Sequence, residues 1–150
     1  MGAYTNVVVG TDGSETAGRA VRAAAELAAD ASARLVVVTA YEPHGDELVD
    51  QEGQAPEDIK WALTDRVQAE NLARTGRSTA VEVGAKGAVA QAIAGSPADV
   101  LLEAAADFGA ELIVVGSRGL TGTKGILLGS VASSVSHHAP CDVLIVHTTD

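Results

Sequence analysis

Apolar residues follow two rhythms along this chain, and each rhythm predicts an element. The run "YTNVVV", Tyr4 to Val9, is β-branched and short, and it ends in "GTDGS"; it reads as a strand followed by a turn. Ser14 then stands at an N-cap position with Glu15 in the first turn. From Ser14 to Ala31 the residues Ala17, Ala20, Val21, Ala24, Leu27, Ala28 and Ala31 keep the i, i+3, i+4 spacing of one helical face. "RLVVVTA", Arg34 to Ala40, is continuously apolar, the pattern of a strand covered on both faces, as parallel sheets require.

A second helix starts at Pro56 and carries Ile59, Leu63, Val67 and Leu72 on one face. Its end has two readings. Gly76 stops it and "TAVEV" forms a strand, or the helix runs on through Ala80 and Val83 to Gly84; we prefer the longer helix. "AVAQAI", Ala88 to Ile93, predicts the next strand. A helix follows with Ser96 as N-cap, Pro97 at the first position, Asp99 completing a capping-box-like pattern and Gly109 as C-cap. "ELIVVG", Glu111 to Gly116, predicts a buried strand, Ser130 to His138 a short helix, and "DVLIVHT" from Asp142 a last strand.

This β-α alternation requires right-handed crossovers and predicts an α/β fold: an open parallel five-stranded sheet with helices on both faces. A strand order of 3-2-1-4-5 makes the first and fourth strands neighbours where the order reverses. The 150 residues, 47% of them hydrophobic, suit a single domain over 1–150.

Charge narrows the partners. A formal net charge of −10 repels a polyphosphate backbone, which argues against nucleic acid. Cys141 is the only cysteine, so no internal disulfide forms, and it reads as a small packing residue. The N-terminus lacks a signal-peptide pattern, and no apolar run approaches the ~20 residues that span a bilayer, so the expectation is a cytoplasmic protein without membrane contact. Residues Tyr41 to Ala55 include Glu42, Asp46, Glu47, Asp50 and Glu52 and read as a solvated acidic loop, the alternative being a metal- or partner-binding segment. His137 and His138 are adjacent, hence about 100° apart on a helix; they suit a helix end better than one metal ion.

The stretch Val114 to Val135, "VVGSRGLTGTKGILLGSVASSV", places five glycines directly after a buried strand. Ligands of open parallel sheets sit beyond the strand carboxyl ends, so this loop and "GTDGS" face one cleft. Glycines allow close backbone approach, and the helix opening at Ser130 favours anions, which together suit phosphate. A P-loop is excluded, since Lys124 precedes Gly125 and follows Thr123. The dinucleotide fingerprint G-x-G-x-x-G is absent after the first strand.

What does match is G-x2-G-x9-G-S, realised as Gly116, Gly119, Gly129 and Ser130. Together with "VVVGTDGSE", "GSPADVLLEAAADFGAELIVVGSRG", "KGILLGSVASSV" and "HAPCDVLIV", it resembles the ATP-binding branch of the universal stress protein family, over the whole chain. The resemblance implies a Rossmann-like sheet of the adenine nucleotide alpha hydrolase-like type. It also implies ATP, with any Mg2+ held by the phosphates, or alternatively cyclic AMP or AMP. Carried over by position, Asp12 contacts the adenosine, with Gly10 and Thr11 beside it and backbone near Ala40 reading the adenine edge. Gly116 flanks the ribose, while Gly119, Gly129, Ser130 and Val131 surround the phosphates; Ser117 and Arg118 occupy variable positions between the first two glycines.

Beside these roles stand plainer ones: Asp12 as a turn residue bonding its own backbone, and Arg118 as a solvated charge. No positioned base, nucleophile or metal-binding pair accompanies the expected phosphates, so the expectation is a binding protein with at most slow ATP hydrolysis. The rival is an ATPase or autophosphorylating protein using Ser130, Ser133 or Ser134. The last strand, with Val143, Leu144, Ile145 and Val146 apolar on both faces, predicts a homodimer paired through that edge, as the resemblance also implies.

Overall fold

A computed structural model describes residues 4–42, 56–117 and 130–147. The elements are β1 (Asn6–Gly10), α1 (Glu15–Ala31), β2 (Arg34–Tyr41), α2 (Pro56–Val83), β3 (Val89–Ala94), α3 (Pro97–Phe108), β4 (Leu112–Gly116), α4 (Ser130–His138) and β5 (Asp142–Val146). All strand pairs are parallel and the order is β3-β2-β1-β4-β5, as the alternating pattern predicts. Of the expected acidic loop Tyr41 to Ala55, residues 43–55 fall outside the described residues.

β1 lies at the centre because its three valines are apolar to both sides. Val7, Val8 and Val9 face Leu35, Val36 and Val37 across one ladder and Leu112, Ile113 and Val114 across the other. Side chains alternate between faces, so two cores form. Val7, Val9, Leu35, Val37, Leu112 and Val114 bury against α1 and α2. Val8, Val36, Val38, Ile113 and Val115 bury against α3 and α4. Each fully buried valine contributes about 1.5–3 kcal/mol over an exposed one.

α1 starts as its sequence dictates: the Ser14 hydroxyl accepts a 3.1 Å hydrogen bond from the Ala17 N–H. It ends at Ser32, whose φ of 57° is left-handed and whose N–H returns to the carbonyls of Ala28 and Ala29. At α3 the capping-box expectation is corrected. Ser96 is the N-cap, but its side chain makes no capping bond. Pro97 presets the helical φ and brings no N–H to satisfy, and the Ser96 carbonyl accepts from Val100 N at 2.9 Å. Gly109 closes the helix, as expected.

α2 takes the longer course through "TAVEV". Ala80 is buried in the first core and Val83 packs on it, whereas Ser78, Val81 and Glu82 are exposed, which is helical rather than strand spacing. Gly76 is not a stop. It is buried, and a Cβ there would stand 2.8 Å from Val37 Cγ1, so the bare Cα lets α2 lie directly on β2. β3 begins one residue later than expected, at Val89.

At the amino ends of the strands, Glu111 ties β4 to β1. One carboxylate oxygen accepts from the N–H groups of Thr5 and Asn6, both at 2.8 Å, and the other from the Thr5 hydroxyl at 2.6 Å. These bonds, the hydroxyl's foremost, lower the Glu111 pKa from 4.5 to about 2. Cys141 is half-buried against the second core, and burial pushes its thiol upward. Among the described residues no helix is long and apolar enough to cross a membrane.

Candidate functional site

The strand order reverses between β1 and β4, and there a cavity of about 210 Å³ opens beyond their carboxyl ends. β1 brings Gly10, with Thr11 and Asp12 following it; β2 brings Val38, Thr39 and Ala40; β4 brings Val115 and Gly116. α3 supplies Pro97, Val100 and Leu101 from its first turns, α4 supplies Val131, and Ala17 and Leu72 complete the wall.

The loop after β1 is held by its own backbone and side chains. Thr11 N donates to the Val38 carbonyl at 2.9 Å, Gly13 N to the Thr11 hydroxyl at 3.1 Å, and Ser14 N to Asp12 Oδ1 at 2.8 Å. The last is an Asx turn, so Asp12 does serve its local backbone. It is also the only carboxylate among the described residues that line the cavity. A carboxylate has two oxygens, and holding Ser14 with one leaves acceptor capacity for a ligand.

The rest of the wall is mainly apolar. Gly10 contributes by lacking a side chain: a Cβ there would lie 3.1 Å from Leu101 Cδ2 and 3.2 Å from Cδ1, so Leu101 folds over the end of β1. Against these apolar groups stand two threonines. Thr39 is 3% exposed, and its hydroxyl is buried with no hydrogen-bond partner among the described residues. A mainly apolar wall with a few placed polar groups is the usual lining of a small-molecule site.

Of the residues expected around a ligand, the structure gathers Gly10, Thr11, Asp12, Ala40, Gly116 and Val131 at this cavity. Ser117 and Ser130 stand beside it without lining it; Ser117 N donates to the Val146 carbonyl at 2.8 Å, and Ser130 is the exposed first residue of α4. Arg118, Gly119 and Gly129 lie outside the described residues. Sequence reasoning missed Thr39, Leu72, Val100 and Leu101. The signal for the α3 residues was present: a helix starting at Ser96–Pro97 directly after β3 has its first turns at the same sheet edge.

Further along α4, the expected helix-end role of the histidines takes a specific form. Nδ1 of His137 lies 2.8 Å from the Ser133 carbonyl and Nδ1 of His138 lies 2.9 Å from that of Ser134. Carbonyls only accept, so each Nδ1 donates to the carbonyl one turn back, within the last turns of the helix. Among the described residues no three His, Cys, Asp or Glu side chains cluster as a metal site would need.

The sequence profile of the universal stress protein family matches residues 3–147. Universal stress protein Rv1636 of Mycobacterium tuberculosis H37Rv is 40% identical over 149 residues, covering 99% of this chain and 100% of that protein. A universal stress protein from Thermus aquaticus is 36% identical over 145 residues, 95% of this chain and 98% of its own length. Among solved structures, a universal stress protein in complex with cAMP is similar at a TM-score of 0.73 and 36% identity, covering 99% of this chain and 100% of that one. With the profile and these relatives spanning nearly its full length, the chain belongs to the universal stress protein family.

Proposed function

We propose that this protein binds an adenine nucleotide at the carboxyl ends of β1 and β4 and acts as a cytoplasmic regulatory or stress-response protein. The observation that carries the reading is the cavity itself, where the Gly10–Asp12 loop, the end of β2 and the start of α4 converge. The similar protein solved with cAMP supports an adenine ligand. The ring enters at the carboxyl end of β2, and Asp12 accepts hydrogen bonds from the nucleoside. Gly116 and Ser117 carry the chain past the ribose toward Gly119, Gly129, Ser130 and Val131, which take the phosphates. Arg118 adds positive charge near them.

ATP, with Mg2+ held by its phosphates, is the preferred ligand on the strength of G-x2-G-x9-G-S. Cyclic AMP or AMP is the second reading, favoured by the ligand of the solved relative. Hydrolysis is slow at most, and any autophosphorylation falls on Ser130, Ser133 or Ser134. The chain works as a homodimer paired through β5. Asp142 N donates to the Glu111 carbonyl and the Val146 carbonyl accepts from Ser117 N, so the even-numbered residues of β5 bond toward β4. Backbone direction alternates along a strand, which turns the groups of Val143 and Ile145 outward, free for a second copy.

The test is native mass spectrometry of protein purified without added nucleotide, with titration calorimetry using ATP, AMP and cyclic AMP. Binding of at least one is expected, and absence of binding to all three overturns the reading.

A further inference from the structure

Thr39 interrupts an aliphatic run in β2. Leu35, Val36, Val37 and Val38 precede it, and all five residues are buried. Thr39 shares the sheet face of Leu35 and Val37, which pack in the α1 and α2 core. A valine has almost the same shape and packs there without a polar atom. The threonine instead buries a hydroxyl that has no partner among the described residues, although buried polar groups are nearly always satisfied. The same residue lines the cavity, one position before Ala40.

We infer that the Thr39 hydroxyl is a ligand-binding group, completed only when the cavity is filled, and that its partner is a polar atom on the edge of the ligand's ring. The inference rests on the nucleotide reading above and adds a specificity-determining side chain to it. The strand order selects the ring end. β1 separates β2 from β4, so Thr39 stands two strand spacings, about 9–10 Å, from the end of β4 where the glycine-rich stretch begins. That is a nucleoside's length away from the phosphates. The hydroxyl reaches the ligand by a turn of χ1, which exchanges Oγ1 with a methyl of nearly equal size and leaves the packing volume unchanged. Being donor and acceptor at once, it pairs with a ring nitrogen or with an exocyclic amine.

Thr39→Val and Thr39→Ser separate this role from packing. In protein freed of nucleotide, Thr39→Val is expected to melt at the same temperature as the parent or higher, because no bond is lost and a buried polar atom is removed. By calorimetry with ATP, AMP and cyclic AMP, its affinity for whichever the parent binds is expected to fall several-fold to about tenfold, the worth of one neutral hydrogen bond. Thr39→Ser keeps the hydroxyl and is expected to bind within about threefold of the parent. Undiminished binding by Thr39→Val overturns the inference while leaving the nucleotide reading intact. So does equal weakening in Thr39→Ser, which assigns the effect to the methyl group. A lower melting temperature in nucleotide-free Thr39→Val shows that the hydroxyl already has a partner, and also overturns it. A parent that binds none of the three sinks the nucleotide reading first.

Discussion

Asp12 Oδ1 accepts a 2.8 Å hydrogen bond from the backbone N–H of Ser14, and Asp12 at the same time lines the cavity. Its local and ligand roles therefore separate by substitution. Asp12→Asn keeps an oxygen for Ser14 but loses the charge, so stability is expected to change little while nucleotide affinity falls about fivefold. Asp12→Ala loses both, and the affinity loss grows to about 1.5–3 kcal/mol, roughly tenfold to more than a hundredfold. Calorimetry and urea unfolding check this pair. Both variants binding within a factor of two of the parent would confine Asp12 to its turn.

Gly10 and Leu101 pack together in the cavity wall. A Cβ at Gly10 comes within 3.1 Å of the leucine, so Gly10→Ala pushes Leu101 aside or into the cavity. The expected costs are about 1–3 kcal/mol of stability and weaker nucleotide binding. Pairing Gly10→Ala with Leu101→Ala should relieve the crowding, and a strictly additive double variant in denaturant titrations would count against the contact.

At the β5 edge, proline acts differently at neighbouring positions. Ile145→Pro removes an outward N–H and is expected to give a folded monomer, whereas Leu144→Pro breaks the ladder to β4 and costs about 3 kcal/mol or more. Light scattering behind size exclusion, with circular dichroism as the fold check, decides. Dimers persisting in Ile145→Pro place the interface elsewhere.

Acid should loosen the amino end of the sheet. The folded pKa of Glu111, about 2, lies below its ordinary 4.5, so its contribution is fully present above the unfolded value and disappears as pH falls toward 2. Glu111→Gln is expected to lower the urea midpoint most near neutral pH, with the gap narrowing below about pH 4. A gap independent of pH would attribute the loss to geometry instead of ionisation.

Ser32 offers the opposite case, a gain. A serine at φ 57° carries a left-handed penalty that glycine does not, so Ser32→Gly should raise stability by about 0.5–1 kcal/mol. Thermal unfolding reads this directly, and a lowered midpoint would contradict it.

The element order was legible because β1, β2 and β4 are unbroken apolar runs and the helices between them carry clear faces. Gly76 was ambiguous for a physical reason. A glycine that ends a helix and one that lets a helix touch a sheet look the same until Val37 is seen beside it. Asp12 and Gly116 were readable from their places after strands, but Leu72 and Leu101 looked like ordinary core residues of amphipathic helices. Thr39 was hidden most completely: threonine favours strands as valine does, and only the missing hydrogen-bond partner distinguishes it.

The central place of β1 also has a cost in time. Its partner β2 follows closely, but Val7 pairs with Leu112, so one edge of the strand is left without its native neighbour until β4 has been made. On the order of seventy residues separate the end of β2 from the start of β4, which at roughly 5–20 residues per second leaves about 4–14 s of synthesis. During that interval the N-terminal β1-α1-β2 unit presents Val7, Val8 and Val9 beside an open ladder. The nascent protein is therefore most exposed to wrong pairing between the emergence of β2 and that of β4, before the strand that completes its centre has left the ribosome.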